Sequence, residues 1–172
     1  MKVQKSKFKI KNLGMGFGLV EIVIVVAMAT AAVVAFGSVA RISLHLLQEE
    51  KYRLEASMLV EEGFEGVRAL RDQSWSANIA TLANDTTYFL ATTTVSGSST
   101  WVILATPQSY INGKYHRTLT FHPVNRDASG RIADVGTLDP ETRELAVEVS
   151  WKLRSATSSV GSAGYITNFL QN

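Results

Sequence analysis

Histidines and carboxylates are where chemistry would show first, and in this chain they are few. The three histidines are His45, His116 and His122. His116 and His122 have the parity that places both on one face of a strand, but no cysteine or clustered carboxylate completes a metal-binding set. Asp127, Asp134, Asp139 and Glu141 fall in a loop-rich stretch between two predicted strands. A hard cation takes roughly six to eight oxygen ligands, so these acids are the calcium candidates, although their spacing is not that of an EF-hand. Glu61 and Glu62 read as a solvated helix face. No serine lies in a Gly-x-Ser-x-Gly elbow, and Gly14-x-Gly16-x-Gly18 has no preceding strand to make it a phosphate cradle. An enzyme is not expected, and no metal or other cofactor beyond the calcium candidates is called for. The acid that most needs a reason is Glu21, the single charge in the apolar run from Phe17 to Ala40.

That run has the length of a membrane span. Its 24 residues, at about 1.5 Å each, cross a hydrocarbon core of roughly 30 Å as a helix. A carboxylate at the centre of such a helix costs roughly 2.5 to 3.5 kcal/mol and is a functional-site hypothesis by default. Lys2, Lys5, Lys7, Lys9 and Lys11 precede the run with no acid among them, which holds this flank in the cytoplasm. Everything after Arg41 is then expected outside, behind a single pass.

Gly16-Phe17-Gly18-Leu19-Val20-Glu21, behind a lysine-rich leader, resembles the processing site of type IV pilins and pseudopilins. The resemblance implies cleavage between Gly16 and Phe17 by a prepilin peptidase, N-methylation of Phe17, and Glu21 as the fifth residue of the mature chain. Cleavage after Gly14 would make Glu21 seventh and is rejected on that spacing. Gly18 stands where Thr is frequent in the family and Val20 where Ile is frequent, but Gly, Phe and Glu are all in place. The implied partners are further copies and other pilins, the peptidase, an inner-membrane platform protein and an assembly ATPase.

The physics of Glu21 fits that resemblance independently. In a filament of parallel helices an unpaired Glu21 or Phe17 ammonium in apolar surroundings would cost several kcal/mol, and pairing the two between neighbours cancels both. In the bilayer, Glu21 lies about 6 Å inside the start of the helix, within reach of headgroups and of the positive helix end. A secretory signal cleaved near Ser38-Val39-Ala40, or a plain anchor, would leave Glu21 and Gly16-Phe17 unexplained. Two further alternatives are an anchored binding domain that never polymerises and a minor DNA-uptake pilin.

Composition agrees with an exported subunit. Mean hydropathy of +0.08 averages an apolar helix with a polar remainder. The formal charge of +2 includes the leader: without its five lysines, 12 basic residues of the 17 face 15 acids, a balance of −3. Nucleic-acid binding therefore finds no support in the charge. Cysteine is absent, so no disulfide closes the exported part, a departure from many type IV pilins.

Past Arg41 the helical pattern continues. Ala56, Val60, Phe64 and Val67 form a stripe at steps of four, four and three, while Glu61, Glu65, Arg68 and Asp72 lie on another face. Glu65 with Arg68, and Arg68 with Asp72, are favourable pairs. Gly37-Ser38 is the expected weak point. The predicted organisation is α+β: leader 1–16, membrane and assembly helix 17–40, amphipathic continuation 41–72, and a β-rich head 73–172. Trp75 and Ile79 are expected to anchor the chain where it leaves the helix. Strands are predicted at Thr87–Thr93, Thr100–Ala105, His116–Pro123, Glu144–Leu153 and Tyr165–Leu170, as an antiparallel meander packed on the distal helix stripe. Ser96-Gly97, Asn112-Gly113 and Ser129-Gly130 signal turns.

Overall fold

The computed structural model describes residues 18–95, 97–153 and 156–171. The fold is α+β, with one long helix and an antiparallel sheet. Helix α1 runs Leu19–Gln73 and a short α2 covers Trp75–Asn78. The strands are β1 Thr87–Val95, β2 Ser98–Leu104, β3 Tyr115–Arg126, β4 Ile132–Ala133, β5 Thr137–Leu153 and β6 Ala156–Thr167. By its internal contacts the chain divides into two units, one ending at Leu46 and the other beginning at Leu47.

In the first unit the described residues are one helix. It opens on Gly18, whose carbonyl accepts from the amides of Glu21 and Ile22 at 2.9 and 3.2 Å. Residues 18–44 are all exposed, including the large apolar side chains from Leu19 to Leu44. Gly37 does not break the helix, and Ser38 returns its hydroxyl to the Val34 carbonyl at 2.9 Å. The segment is long and apolar enough to cross a membrane.

The second unit has its own core. Along the last turns of α1, Ala56, Val60, Phe64, Val67 and Leu70 are buried against Leu119, Phe121, Leu145, Val147, Val149 and Trp151 of β3 and β5. Burial of each large side chain contributes about 1.5 to 3 kcal/mol. The helix presents its apolar residues at steps of three and four and the strands at steps of two, so the two stripes meet. Gly63 and Gly66 let the backbones approach: a Cβ at Gly66 would lie 2.5 Å from Leu90 Cδ2, and one at Gly63 2.8 Å from Val147 Cγ1. At its C-terminal end α1 passes through Ser74, whose hydroxyl accepts from the Ala77 amide, while Asn78 Nδ2 donates to the Leu70 carbonyl at 2.9 Å. Trp75 and Ile79 are buried there, as the sequence predicted.

The sheet order is β2-β1-β3-β5-β6, with β4 paired to β3. This departs from the simple meander. The β1–β2 hairpin turns outward, so β2 is an edge and β3 comes back to the other side of β1, joined only through Thr87↔Thr120 and Tyr88↔Leu119. β3, β5 and β6 do follow as a meander. Between Pro123↔Arg143 and Val124↔Asp139 the register shifts, which accommodates Pro140 to Thr142 in a bulge. Asn112, Gly113 and Gly130 take positive φ at the predicted turns.

Candidate functional site

Glu21 is the third residue of α1, in the first turn, and its side chain is exposed. The free amides of a helix's first turn carry partial positive charge, so a carboxylate there is favoured. Around it Leu19, Val20, Ile22, Val23, Ile24, Val25 and Val26 are all more than half exposed. A helix apolar on every side belongs in lipid or in the core of a larger assembly. Glu21 is thus a lone anion at the mouth of an otherwise uniform apolar rod. Gly16 and Phe17, the predicted processing pair, lie outside the described residues.

The calcium candidates are held separately. Both the Ser129 and Arg131 amides donate to Asp127 Oδ1, at 2.8 and 2.9 Å. Asp139 accepts from Arg126 Nε at 2.6 Å and, through its other oxygen, from the Glu141 amide at 2.9 Å. Glu141 accepts from Asn168 Nδ2, and the backbone carbonyl of Asp134 accepts from Asn125. Among the described residues, no group of three or more His, Cys, Asp or Glu side chains converges. Burial alone would raise the Asp139 pKa, but the hydrogen bonds from Arg126, Thr142 and the Glu141 amide outweigh it and hold the carboxyl below its ordinary value. Asp139 and Glu141 also line a groove of about 660 Å³ with Trp75, Pro140 and Arg143. Arg143 is turned out of that groove's chemistry: it donates to the carbonyls of Leu82 and Ala80 and so ties the post-helical loop to β5.

His116 and His122 do not act together. His116 packs edge-on against Phe89 and tilted against Tyr110, whereas His122 Nδ1 meets Asp85 Oδ1.

Polar groups also enter the interface between helix and sheet in the head. Arg117 is only 6% exposed and enters the helix–sheet interface, donating to the Leu59 carbonyl at 3.0 Å and facing Glu62 at 3.3 Å. Burial pulls its guanidinium below its usual pKa and Glu62 opposes that pull. Glu61 and Glu62 are both exposed, as expected of a solvated helix face, and Glu62 in addition faces a buried cation. Tyr115 donates to Glu55, which Lys51 and Lys114 also approach. The Tyr115 hydroxyl, then the two lysines, hold the Glu55 carboxyl below its usual range against the opposing effect of burial. A sequence signal for Arg117 existed: it shares strand parity with Leu119 and Phe121, so it had to point inward. The predicted Glu65–Arg68 pair forms, while Asp72 is bound by its neighbour Arg71.

No protein-family model, no curated protein and no solved structure matches this chain.

Proposed function

We propose that this protein is a structural subunit, a pilin or pseudopilin, of a type IV pilus or a type II secretion-like filament. The observation that carries the reading is the first unit of the chain: an apolar helix exposed on every side, whose only acid, Glu21, sits in its first turn directly behind the Gly16-Phe17 junction. Such a helix suits two environments in succession, the bilayer and then a bundle of identical helices. In the bilayer Glu21 lies near the headgroups. In the bundle it meets the methylated amine of a neighbour's Phe17, and neither charge is left unpaired. The leader keeps the N-terminus cytoplasmic, where the peptidase cuts, and the head is exported to stand on the filament surface. The platform protein and the ATPase supply the work of extraction. Nucleic acid is not among the proposed partners.

The mass of the mature N-terminus tests the processing step. A chain beginning at methylated Phe17 is expected; one beginning at Arg41 would mean an ordinary signal peptide. Assembly is tested by Glu21→Ala, which should insert and be processed normally yet give few or no sedimenting filaments. Equal filament yield from that variant and the parent would leave an anchored, non-polymerising binding domain as the better reading.

A further inference from the structure

We propose that the two edges of the head's sheet pair between copies, β6 of one subunit against β2 of the next, as parallel strands that link heads along the assembly. This rests on the filament reading and adds a specific contact to it. The first support is where the charges lie. Every Asp, Glu, Lys, Arg and His in the strands is on β3 or β5, which are paired on both sides. β2, SSTWVIL, and β6, ATSSVGSAGYIT, carry no charge and no proline. Edge strands that must stay single are ordinarily guarded by charges, prolines, bulges or short length. Here the guards are absent where they would be needed.

β6 also has the shape of a template. It pairs with β5 over twelve residues in unbroken register, Thr142↔Thr167 to Leu153↔Ala156, and among the described residues no strand lies on its other side. Along Thr157 to Ala163 the face turned from the helix carries Thr157, Ser159, Gly161 and Ala163, none larger than threonine, and only at the end of the strand does a large residue, Tyr165, follow on that face, so over this stretch another backbone meets no side-chain barrier. A row of outward N–H and C=O groups accepts an extended strand and little else.

Direction selects the partner edge. Four antiparallel steps separate β2 from β6, so these two strands run the same way. Heads that share one orientation, as a filament of like-oriented subunits requires, therefore bring β6 to β2 in parallel. Two β6 edges would pair antiparallel about a two-fold axis and reverse the second head. A β6–β2 contact is heterologous and continues from copy to copy, whereas the two-fold contact closes at a dimer.

The chain has no cysteine, so introduced thiols report uniquely. Ala163→Cys combined with Val102→Cys, or with Thr100→Cys one step along the register, is expected to give a ladder of disulfide-linked oligomers when full-length protein in membranes or filaments is oxidised. Neighbouring strands place Cα atoms about 5 Å apart, within disulfide reach. Each single-cysteine variant should remain a monomer. Adding Ser159→Lys should weaken the ladder about tenfold, since it restores an edge guard. Sedimenting filaments that yield no ladder would overturn the edge pairing and leave the filament reading standing. A ladder without filaments would support the pairing and defeat the filament reading. A dimer from Ala163→Cys alone, at the yield of the double variant, would overturn the β6–β2 contact in favour of the two-fold one.

Discussion

Glu61 and Glu62 are adjacent, identical in sequence terms, and different in what they hold. Glu62 stands 3.3 Å from the buried Arg117 guanidinium, while Glu61 faces solvent. Removing Glu62 leaves a buried cation short of its counter-charge, its Nε already without a hydrogen-bond partner among the described residues. Glu62 is half-exposed and part of the lost attraction is screened, so Glu62→Ala should cost about 1 kcal/mol, against a few tenths for Glu61→Ala. Paired urea melts of the two variants check this; equal midpoints would show that Arg117 is held by the Leu59 carbonyl and packing alone. Carboxyls give a second prediction at this scale. Glu55 and Asp139 are both held below their ordinary pKa in the folded head. A depressed carboxyl contributes stability that is present above its unfolded pKa and is lost as pH falls through the folded one. The head should therefore lose melting temperature on acidification below about pH 4 to 5, and the double variant Glu55→Gln, Asp139→Asn should show a shallower loss. A parallel pH profile for variant and parent would contradict the assignment.

Elements meet where glycine allows it. Glycine in a helix interior ordinarily costs about 1 kcal/mol against alanine, so Gly37→Ala, in open space, should raise helix stability. Gly66→Ala should do the reverse, because its Cβ would strike Leu90 and the Trp101 ring, and overpacking of that kind costs about 1 to 3 kcal/mol. Thermal melts followed by circular dichroism should show a drop of several degrees for Gly66→Ala; a rise would mean that β1 and β2 yield easily. These two glycines look alike in sequence, and the difference lies entirely in what packs above them. The same division governs how much could be read beforehand. The α1 stripe at Ala56, Val60, Phe64 and Val67, and the alternation Leu145, Val147, Val149, Trp151, were legible because burial imposes a period. β6 was not. Only its end, Tyr165 to Thr167, was foreseen as strand, since Ala156 to Gly164 is built of small residues with too little apolar contrast to alternate. The sequence pattern extends that strand to Leu170, whereas β6 ends at Thr167. The early part of β5, Thr137 to Arg143, was hidden by Pro140 and three charged residues, which the bulge opposite Pro123 and Val124 accommodates. Arg117 was hidden by its type, and Asp85 and His122 by the distance between them along the chain.

At the scale of the whole chain, the two units answer to different solvents. The unit beginning at Leu47 buries its own apolar stripe against its own sheet. In the unit ending at Leu46 the described residues 18–44 are all exposed, a helix wall rich in Val, Ile, Leu, Met and Phe. Water is a poor medium for that wall: roughly 25 cal/mol is lost for each Å² of apolar surface left wet. Lipid is a covering for such a wall that demands no complementary shape, and the segment is long and apolar enough to cross a membrane. Full-length protein should accordingly stay in the membrane pellet through alkaline extraction, which strips peripheral proteins. Glu21→Ala should stay there too if, as proposed, the carboxylate serves assembly and not insertion. Val25→Lys with Ala32→Lys places two charges deep in the span at roughly 2.5 to 3.5 kcal/mol each, enough to move most of the chain to the soluble fraction or to degradation. If the parent itself were released by alkali, lipid would not be the resting environment of α1, and the helix would have to be sheltered from the outset by other copies.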